Sequence, residues 1–382
     1  MPHSTRPQPL LERRTAEEAR QHRLPATRTS RLAAAAGNGW VRAGVGLIAV
    51  VAIFAAINAA GAVLGPVACA LFIIAIAWPM QRELQAHMPR LVALAIVVAA
   101  IVVVFIVFAS LVAWSFGRVG RWLVADAEHL QRIYSQTAAW LEGHGIGVAA
   151  LWAEHFNVGW MLRAAQGVTG RVNTTVAFWL VVLVYVILGL LEVEDAERRI
   201  RAMRNREAGR ILLDGTIATA AKFRRYLLIR TQMSLATGVL VWALASLAGL
   251  QFAREWGIIA FALNYIHFIG PFIATVFPTL FALAQFASWQ AALAVFACLN
   301  VIQFVIGSYI EPRLAGRMLA ISPFVVLLAV FLWSFLWGPF GAFIGVPITI
   351  ALLTFCAQHP SSRWVCDLLA GAPESPDVKT PP

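Results

Sequence analysis

Ionisable side chains are rare in the long apolar stretches of this sequence, so the few that occur there are the first candidates for chemistry. His267 is the only His, Asp, Glu, Lys or Arg between Glu255 and Glu311. An imidazole among apolar helices either carries a proton or forms a hydrogen bond with a neighbouring carbonyl. Glu311 and Arg313 flank Pro312 at a predicted membrane edge. The two side chains either pair in a gate or form an ordinary surface ion pair, and Glu311 alone is a candidate for carrying a proton. His267, Glu311 and Arg313 are therefore candidates for proton coupling or gating.

Uncharged polar side chains form a second group of candidates, because amide and hydroxyl groups bind a small polar solute without placing a charge in the membrane. Asn300 and Gln303 are three residues apart, which puts them on one face of a helix. The same residue types also form hydrogen bonds between membrane helices, so each one alone has a structural alternative. The candidates for a solute site are Asn264, Tyr265, Thr275, Asn300, Gln303 and Thr349.

Several of these residues lie near a tripeptide, Gly-Pro-Phe, that occurs twice with a separation of 68 residues. Gly and Pro are unfavourable in the middle of a helix, so each tripeptide predicts a helix break. Pro278 and Pro347 follow the two tripeptides and are predicted to bend the arm that returns from each break. The predicted tips of the two helical hairpins are Gly270, Pro271, Gly338 and Pro339.

Each tripeptide interrupts a charge-free stretch, 256–310 or 318–362, that is too long for one membrane span of roughly 20 residues. Paired segments that are interrupted by Gly and Pro in corresponding positions indicate the binding site of a secondary transporter. We therefore predict two re-entrant hairpins that enter from opposite faces, whereas the alternative is a kink in each of two continuous spans. The predicted arms are 257–269 with 273–288, and 321–337 with 341–357.

The composition is typical of a membrane protein, because 60% of the 382 residues are hydrophobic and only 13% are charged. The charge-free stretches predict an all-α polytopic membrane protein with about eight hydrophobic segments, in which the two hairpins form an inverted repeat in the C-terminal half. A turn between the first two spans is predicted at Gly65-Pro66. The sequence has no H-E-x-x-H, G-x-S-x-G or Walker A motif. It therefore predicts no enzyme, no ATP-driven pump, no cofactor and no metal.

Arginines determine the predicted orientation, because Lys and Arg are concentrated on the cytoplasmic side of membrane proteins. Residues 1–42 carry eight Arg and residues 192–230 carry nine, so both segments and both chain termini are predicted to be cytoplasmic. The net charge of +11 is concentrated at such edges, which argues against a nucleic-acid partner. The predicted order is a disordered basic tail (1–41), spans 1–3 (42–117), an extracytoplasmic amphipathic helical segment (118–171), span 4 (172–191), a basic cytoplasmic helical loop (192–230), span 5 with the first hairpin (231–288), a further span with the second hairpin (289–357) and a cytoplasmic tail (358–382).

The stretch "YIEPRLAGRMLAISPFVVLLAVFLWSFLWGPFGAFIGVPIT", residues 309–349, resembles the autoinducer-2 exporter family, also called PerM-like permeases. The resemblance rests on its E-P-x-L-x-G, the Ser-Pro that follows, the W-G-P-x-G and the final Val-Pro. Segments 225–240 and 263–272 resemble two further family segments in the same order, so the resemblance extends over 42–357. The chain departs from the family at His267, where many members have Pro, which predicts a softer kink before the first tip.

The resemblance implies a multi-pass transporter of the bacterial inner membrane that forms a homo-oligomer in the lipid bilayer. Its expected activity is secondary-active export of a small polar solute, such as the autoinducer-2 signal, by alternating access. Because other family members resemble sodium- or lithium-proton antiporters, an ion substrate is the first alternative. A non-transporting membrane scaffold that uses 118–171 as an interaction surface is the second.

Overall fold

The computed structural model of this chain describes residues 28–125, 143, 158–315, 322–359 and 362–369, and every regular element within these ranges is a helix. A π-helix, Val305–Ile310, connects the eighth α-helix to the ninth. The α-helices are α1 (Arg28–Ala59), α2 (Gly61–Gln85), α3 (Arg90–Ala125), α4 (Val158–Arg201), α5 (Arg206–Leu247), α6 (Ala253–Leu263), α7 (Ile269–Phe286), α8 (Trp289–Phe304), α9 (Glu311–Ala315), α10 (Pro323–Gln358) and α11 (Arg363–Leu369).

Seven helical segments in the described part of the chain are long and apolar enough to cross a membrane. They are Gly61–Gln85, Arg90–Trp122, Thr175–Arg201, Arg206–Leu247, Ile269–Phe286, Trp289–Ile310 and Pro323–Gln358. A shorter apolar helix, Gly44–Ala59, forms the second half of α1. The prediction of an all-helical protein with about eight hydrophobic segments is therefore confirmed.

Two helix boundaries near the N-terminus differ from those expected from the sequence. Helix α1 begins at Arg28, inside the predicted disordered tail, because the alanine-rich run that follows has a high helix propensity. The break between α1 and α2 lies at Ala60 rather than at Gly65-Pro66. Pro66 is buried in the second turn of α2, where a proline removes one backbone hydrogen bond without ending the helix. Packing stabilises this turn, since a Cβ on Gly65 would lie 3.6 Å from the ring of Phe178.

The polar segments that the sequence places between spans belong in part to long helices. Most of the predicted amphipathic segment 118–171 lies outside the described residues, and its two ends belong to α3 and α4. The predicted basic loop 192–230 is helical except for a short turn between α4 and α5. Asn205 caps α5 there, because its side-chain oxygen accepts hydrogen bonds from the amides of Glu207 and Ala208, both at 3.1 Å. Helix α11 occupies part of the predicted C-terminal tail.

Helices α6 and α7 form a folded-back pair beside the C-terminal half of α5. Gly238 of α5 and Gly257 of α6 allow a close crossing, since a Cβ on Gly238 would lie 2.8 Å from the Gly257 carbonyl. Helix α7 then returns to the level at which α6 begins. The Gln285 side chain near its end donates to the Gly249 carbonyl and accepts from the Gln251 amide, both at 2.8 Å. The chain therefore enters and leaves this pair at the same end, which is the arrangement of a helical hairpin.

Helix α10 also folds back on itself. Trp337 and Gly338 have non-helical backbone angles, and Gly338 has a φ of 64°. Beyond this break, a Cβ on Gly345 would lie 3.1 Å from the carbonyl oxygen of Ala329. These two residues are sixteen positions apart and would be separated by about 24 Å in a continuous helix. Arms 323–336 and 339–358 therefore lie side by side. At the open end, the Ser322 amide donates to the carbonyl of Leu369 in α11 at 3.3 Å.

The two folded-back pairs open towards opposite ends of α5. The open end of the first pair, at 249–251 and 285, follows directly on the C-terminus of α5. The open end of the second lies beside the N-terminal half of α5, where Lys222 donates to the Thr354 hydroxyl at 3.1 Å. In the same region, a Cβ on Gly215 would lie 2.6 Å from the ring of Phe355. Helix α5 is therefore the common support of both pairs.

Two apolar clusters connect these pairs to the remaining helices of the same unit. The larger cluster joins α2, α3, α4, α5 and α10, and its fully buried members include Val97, Leu190 and Ile344. The second joins α3 and α5 to the first folded-back pair and α8, through residues such as Trp256, Phe281 and Leu299. Apolar packing of this kind keeps the helix breaks between rigid elements.

Candidate functional site

The break between α6 and α7 comprises residues 264–268, and two of its polar side chains bind to α5. The Asn264 amide donates to the Ser234 hydroxyl at 3.2 Å, and both side chains are buried. The Tyr265 hydroxyl donates to the Thr231 hydroxyl at 3.0 Å. At the end of the break, Phe268 has a φ of 60°, which is unusual for a residue other than glycine. Side-chain hydrogen bonds to α5 therefore hold this irregular backbone in place.

A buried ion pair lies next to this break. Nη1 of Arg230 on α5 lies 2.7 Å and 2.9 Å from the two carboxylate oxygens of Glu311 at the start of α9. The Arg230 side chain is only 4% exposed and that of Glu311 is 21% exposed. A guanidinium this deeply buried requires an anionic partner, because removing it from water costs several kcal/mol. Nε of Arg230 is buried and has no hydrogen-bond partner among the described residues.

The π-helix before α9 affects the direction of the Glu311 side chain. The Glu311 amide donates to the carbonyl of Ile306, five residues earlier, which is the π-helical pattern. A π-turn contains one residue more than an α-turn, so it rotates the side chains that follow by about 100°. π-helices are rare and are often found at functional sites. This element therefore helps to direct Glu311 towards Arg230.

His267 contributes the third ionisable group of the cluster. Its Nε2 lies 3.7 Å from Oε1 of Glu311, and its side chain is 17% exposed. The imidazole also lies almost parallel to the ring of Tyr226, with centroids 6.2 Å apart and an interplanar angle of 13°. The carboxylate thus faces a permanent cation on α5 and a titratable imidazole in the helix break. This arrangement can accept or release a proton without leaving the carboxylate unpaired.

The second break packs close to the first. Gly338 adopts a φ of 64° and a ψ of −149°, a combination that is essentially limited to glycine, and Pro339 starts the returning arm. One turn further along that arm, the ring of Phe343 lies 6.4 Å from that of Tyr265, centroid to centroid. The two folded-back pairs therefore contact each other near their breaks.

The Gly-Pro-Phe tripeptides occupy different positions in the two breaks. Gly338 forms the second break itself, as predicted, whereas Gly270 and Pro271 lie in the first turn of α7, after the first break. Pro suits this position because the first turn of a helix needs no amide donors and has the φ that Pro imposes. A Cβ on Gly270 would overlap the carbonyl oxygen of Leu263, so the glycine allows α7 to turn back closely on α6.

The remaining polar candidates are not all brought into the cluster. The Thr275 and Thr349 hydroxyls donate within their own helices, to the carbonyls of Pro271 and Gly345, both at 2.9 Å. Pro278 and Pro347 are buried inside α7 and α10.

Three further candidates lie on α8 and α9. Asn300 is exposed and donates to the Phe296 carbonyl of its own helix at 2.8 Å. Gln303 is partly buried, and its Nε2 has no partner among the described residues. The Arg313 guanidinium lies 3.8 Å from the centroid of the Tyr309 ring. The partner of Glu311 is therefore Arg230 rather than the nearby Arg313.

The α5 residues of the cluster are not among the candidates predicted from the sequence. Tyr226, Arg230 and Ser234 are spaced by four residues and share one helix face, with Thr231 beside them. This spacing of polar residues ahead of an apolar run was the available signal. It was missed because Arg230 was assigned to the end of the cytoplasmic loop.

Comparison with known proteins identifies the family. The model of the AI-2E family transporter matches residues 47–360. The AI-2 transport protein TqsA of Escherichia coli (strain K12) is 27% identical over 323 residues, which are 84% of this chain and 93% of that protein. The protein YhhT of the same organism is 35% identical over 170 residues, which are 44% of this chain and 48% of that protein. Since the family match covers most of the chain, this multi-pass membrane protein is a transporter rather than an enzyme, and it belongs to the AI-2E transporter family.

Proposed function

We propose that this chain is a secondary-active transporter of the bacterial inner membrane that moves a small polar solute by alternating access. One observation carries the proposal: two folded-back helix pairs open towards opposite ends of α5 and contact each other near their breaks. In this proposal the pairs are re-entrant hairpins that enter the membrane from opposite faces. Such paired, broken helices are the arrangement in which secondary transporters bind their substrates.

The chemistry of the breaks supports a solute site between the hairpins. Helix breaks free backbone N–H and C=O groups, which are tolerated at membrane depth only where they are buried in protein or line a wet cavity. Asn264, Tyr265 and Nε of Arg230, which has no partner among the described residues, lie at or beside the first break. The second amide proton of Asn264 and Nε of Arg230 can donate to oxygens of a small polar solute, and the Tyr265 oxygen can accept from a solute hydroxyl. Gln303, Thr275 and Thr349 are further candidates in the same half of the chain.

The name of a relative supports a proposal for the substrate class. The relative TqsA is named an AI-2 transport protein, so we propose that this chain exports an autoinducer-2-like signal. In this proposal both termini lie in the cytoplasm, and the protein forms a homo-oligomer through α1–α4. The hairpin unit then moves against these helices during the cycle.

Ion-coupled antiport is the second candidate function, and the cluster of Arg230, Glu311 and His267 favours it. A carboxylate beside an imidazole in a membrane transporter is a common means of carrying a proton. In this version, protonation of Glu311 weakens its contact with His267 in the first break as well as its pairing with Arg230, and this loosens the first hairpin. The same cluster would couple solute export to a proton gradient.

Flux measurements in proteoliposomes test the proposal. Gly338→Ala and Pro339→Ala are expected to reduce uptake of an autoinducer-2-like solute without reducing membrane insertion. Gly46→Ala is the matched control, because a Cβ at Gly46 meets no atom within 4 Å. Equal flux in all three variants would contradict the role of the second break. Flux is also measured with and without an imposed pH gradient. A flux that does not change with the gradient excludes proton coupling.

Sidedness of α9 provides an independent test of the hairpins. The native cysteines Cys69, Cys298, Cys356 and Cys366 are replaced and a single cysteine is introduced at Ala315. Protection from an impermeant thiol reagent in intact cells, with labelling after permeabilisation, is the expected result. Labelling in intact cells would place α9 outside, and the breaks would then be kinks in continuous spans.

A further inference from the structure

The turn between α4 and α5 borders an open cavity of about 730 Å³ that is separate from the hairpins. Its polar wall contains Arg201, Arg204, Arg206 and Arg210, together with a single acidic residue, Asp214. Four guanidinium groups around one cavity create a strongly positive potential. A guanidinium presents paired N–H donors that fit the oxygens of a phosphate group.

Most of these charges have no carboxylate partner among the described residues. Arg201 pairs with Glu197 on the last turns of α4, as Arg198 does with Asp195. Within the described part of the chain, no carboxylate lies within 4.0 Å of Arg204, Arg206 or Arg210. Three arginines are therefore available to an external anion.

Apolar side chains also line the cavity. They are Ile200, Met203 and Leu213, and α5 approaches the end of α4 closely at Gly209, where a Cβ would lie 2.8 Å from the Ile200 carbonyl. The first amides of α5 are already satisfied by the side chain of Asn205, so the arginine side chains must bind the ligand. Apolar side chains beside a rim of exposed arginines match an amphiphile whose phosphate contacts the rim.

We propose that this cavity binds a phosphate group, with the apolar side chains of its lining favouring the phosphate of an anionic phospholipid headgroup over a soluble phosphate compound. The site lies between the end of one candidate membrane-spanning segment, Thr175–Arg201, and the start of the next, Arg206–Leu247. A lipid bound here would link α4 to α5 from the membrane surface. The proposal is independent of the transported solute.

Two double variants on α5 test the site. Arg206→Gln with Arg210→Gln removes two rim charges, and Arg224→Gln with Arg225→Gln removes two exposed charges outside the cavity. Native mass spectrometry of the purified full-length protein measures retention of phosphatidylglycerol against phosphatidylcholine. Calorimetric titration with pyrophosphate measures binding of a soluble phosphate compound. All four side chains are exposed, so gel filtration is expected to show folded protein for both variants.

The rim variant is expected to bind the phosphate ligand roughly thirtyfold more weakly. Each arginine near an anionic lipid surface contributes about 1 kcal/mol of binding free energy, so the loss of two costs about 2 kcal/mol. The Arg224 and Arg225 variant is expected to bind like the unmodified protein. Selective loss of phosphatidylglycerol assigns the site to lipid, and selective loss of pyrophosphate assigns it to a soluble compound. Equal losses in both variants, or no binding of either probe by the unmodified protein, would overturn the proposal.

Discussion

The ion pair between Arg230 and Glu311 offers the sharpest test of the candidate site. At about 4 Å between charge centres, two opposite charges attract each other by about 4 kcal/mol at an effective dielectric constant of 20. Removing one partner also leaves the other buried and unpaired, which costs about 3–5 kcal/mol. Because the Arg230 side chain is 4% exposed and that of Glu311 is 21% exposed, the remaining arginine is the more costly group to leave unpaired.

Glu311→Gln is therefore expected to lower the free energy of unfolding by about 3–5 kcal/mol. Arg230→Gln is expected to cost less, because Glu311 keeps more water and retains His267 at 3.7 Å. The double variant carries two neutral amides, so it avoids a buried, unpaired charge. Its loss of stability is expected to be about 2 kcal/mol smaller than the sum of the two single losses. This difference is within the range found for directly interacting residues.

Reversible unfolding in mixed micelles, followed by tryptophan fluorescence during titration with a denaturing detergent, measures these values. Arg224→Gln is the control, because this arginine is exposed on the same helix and its loss is expected to change stability by less than about 0.5 kcal/mol. If the two single effects add within about 0.5 kcal/mol, the residues do not interact energetically. The coupling role of the cluster would then lose its physical basis.

Three further tests concern the close return of α10, an ion pair of α6 and a hydrogen bond at the first break. Gly341→Ala is expected to lower stability by about 1–3 kcal/mol, because its Cβ would overlap the Trp333 carbonyl. Gly307→Ala meets no atom within 4 Å and is expected to be tolerated, so equal thermal shifts for both would contradict the close return of α10. Arg118→Gln leaves the carboxylate of Glu255, which is 4% exposed, without its ion-pair partner, whereas Glu255→Gln leaves Arg118, which is 46% exposed and still in contact with water. Arg118→Gln is therefore expected to destabilise more, and the reverse order in thermal unfolding would refute this. Tyr265→Phe removes one hydrogen bond and is expected to cost about 0.5–1.5 kcal/mol, whereas no change would show that this bond is dispensable.

Apolar length and helix-breaking residues made much of the fold predictable. Charge-free stretches predicted about eight hydrophobic segments, because the length of a membrane span is set by the bilayer. They did not predict the helix ends, since the helices that contain 172–191 and most of 231–253 extend to Arg201 and back to Arg206. The second break was predicted at Gly338, where the backbone needs a conformation that other residues rarely adopt. The first break was misplaced, because Pro271 starts a helix as readily as it ends one. A proline therefore marks a boundary without indicating the side on which the helix lies.

The candidate site was less predictable, because its partners are far apart in the sequence. His267 and Glu311 were recognised as isolated polar residues in apolar surroundings. Their common neighbour Arg230 was not, because an arginine at the end of a basic segment looks like an ordinary positive charge at a membrane edge. Only the packing of α5 against the first break shows that this arginine is buried and that it takes Glu311 as its partner.

The position of α5 explains why one long helix can serve both hairpins. It is 42 residues long, so its two ends can meet the open ends of two hairpins that point in opposite directions. Its polar face at 226–234 then lies where the first break needs hydrogen-bond partners. A shorter helix would leave one hairpin without support, and an apolar one would leave the break unsatisfied. The first folded-back pair contacts α5 through Asn264 and Tyr265, and it contacts Glu311 through His267. In the proposed transport cycle, movement of this pair must break these contacts, and protonation of His267 or Glu311 is the proposed means by which an ion controls that movement.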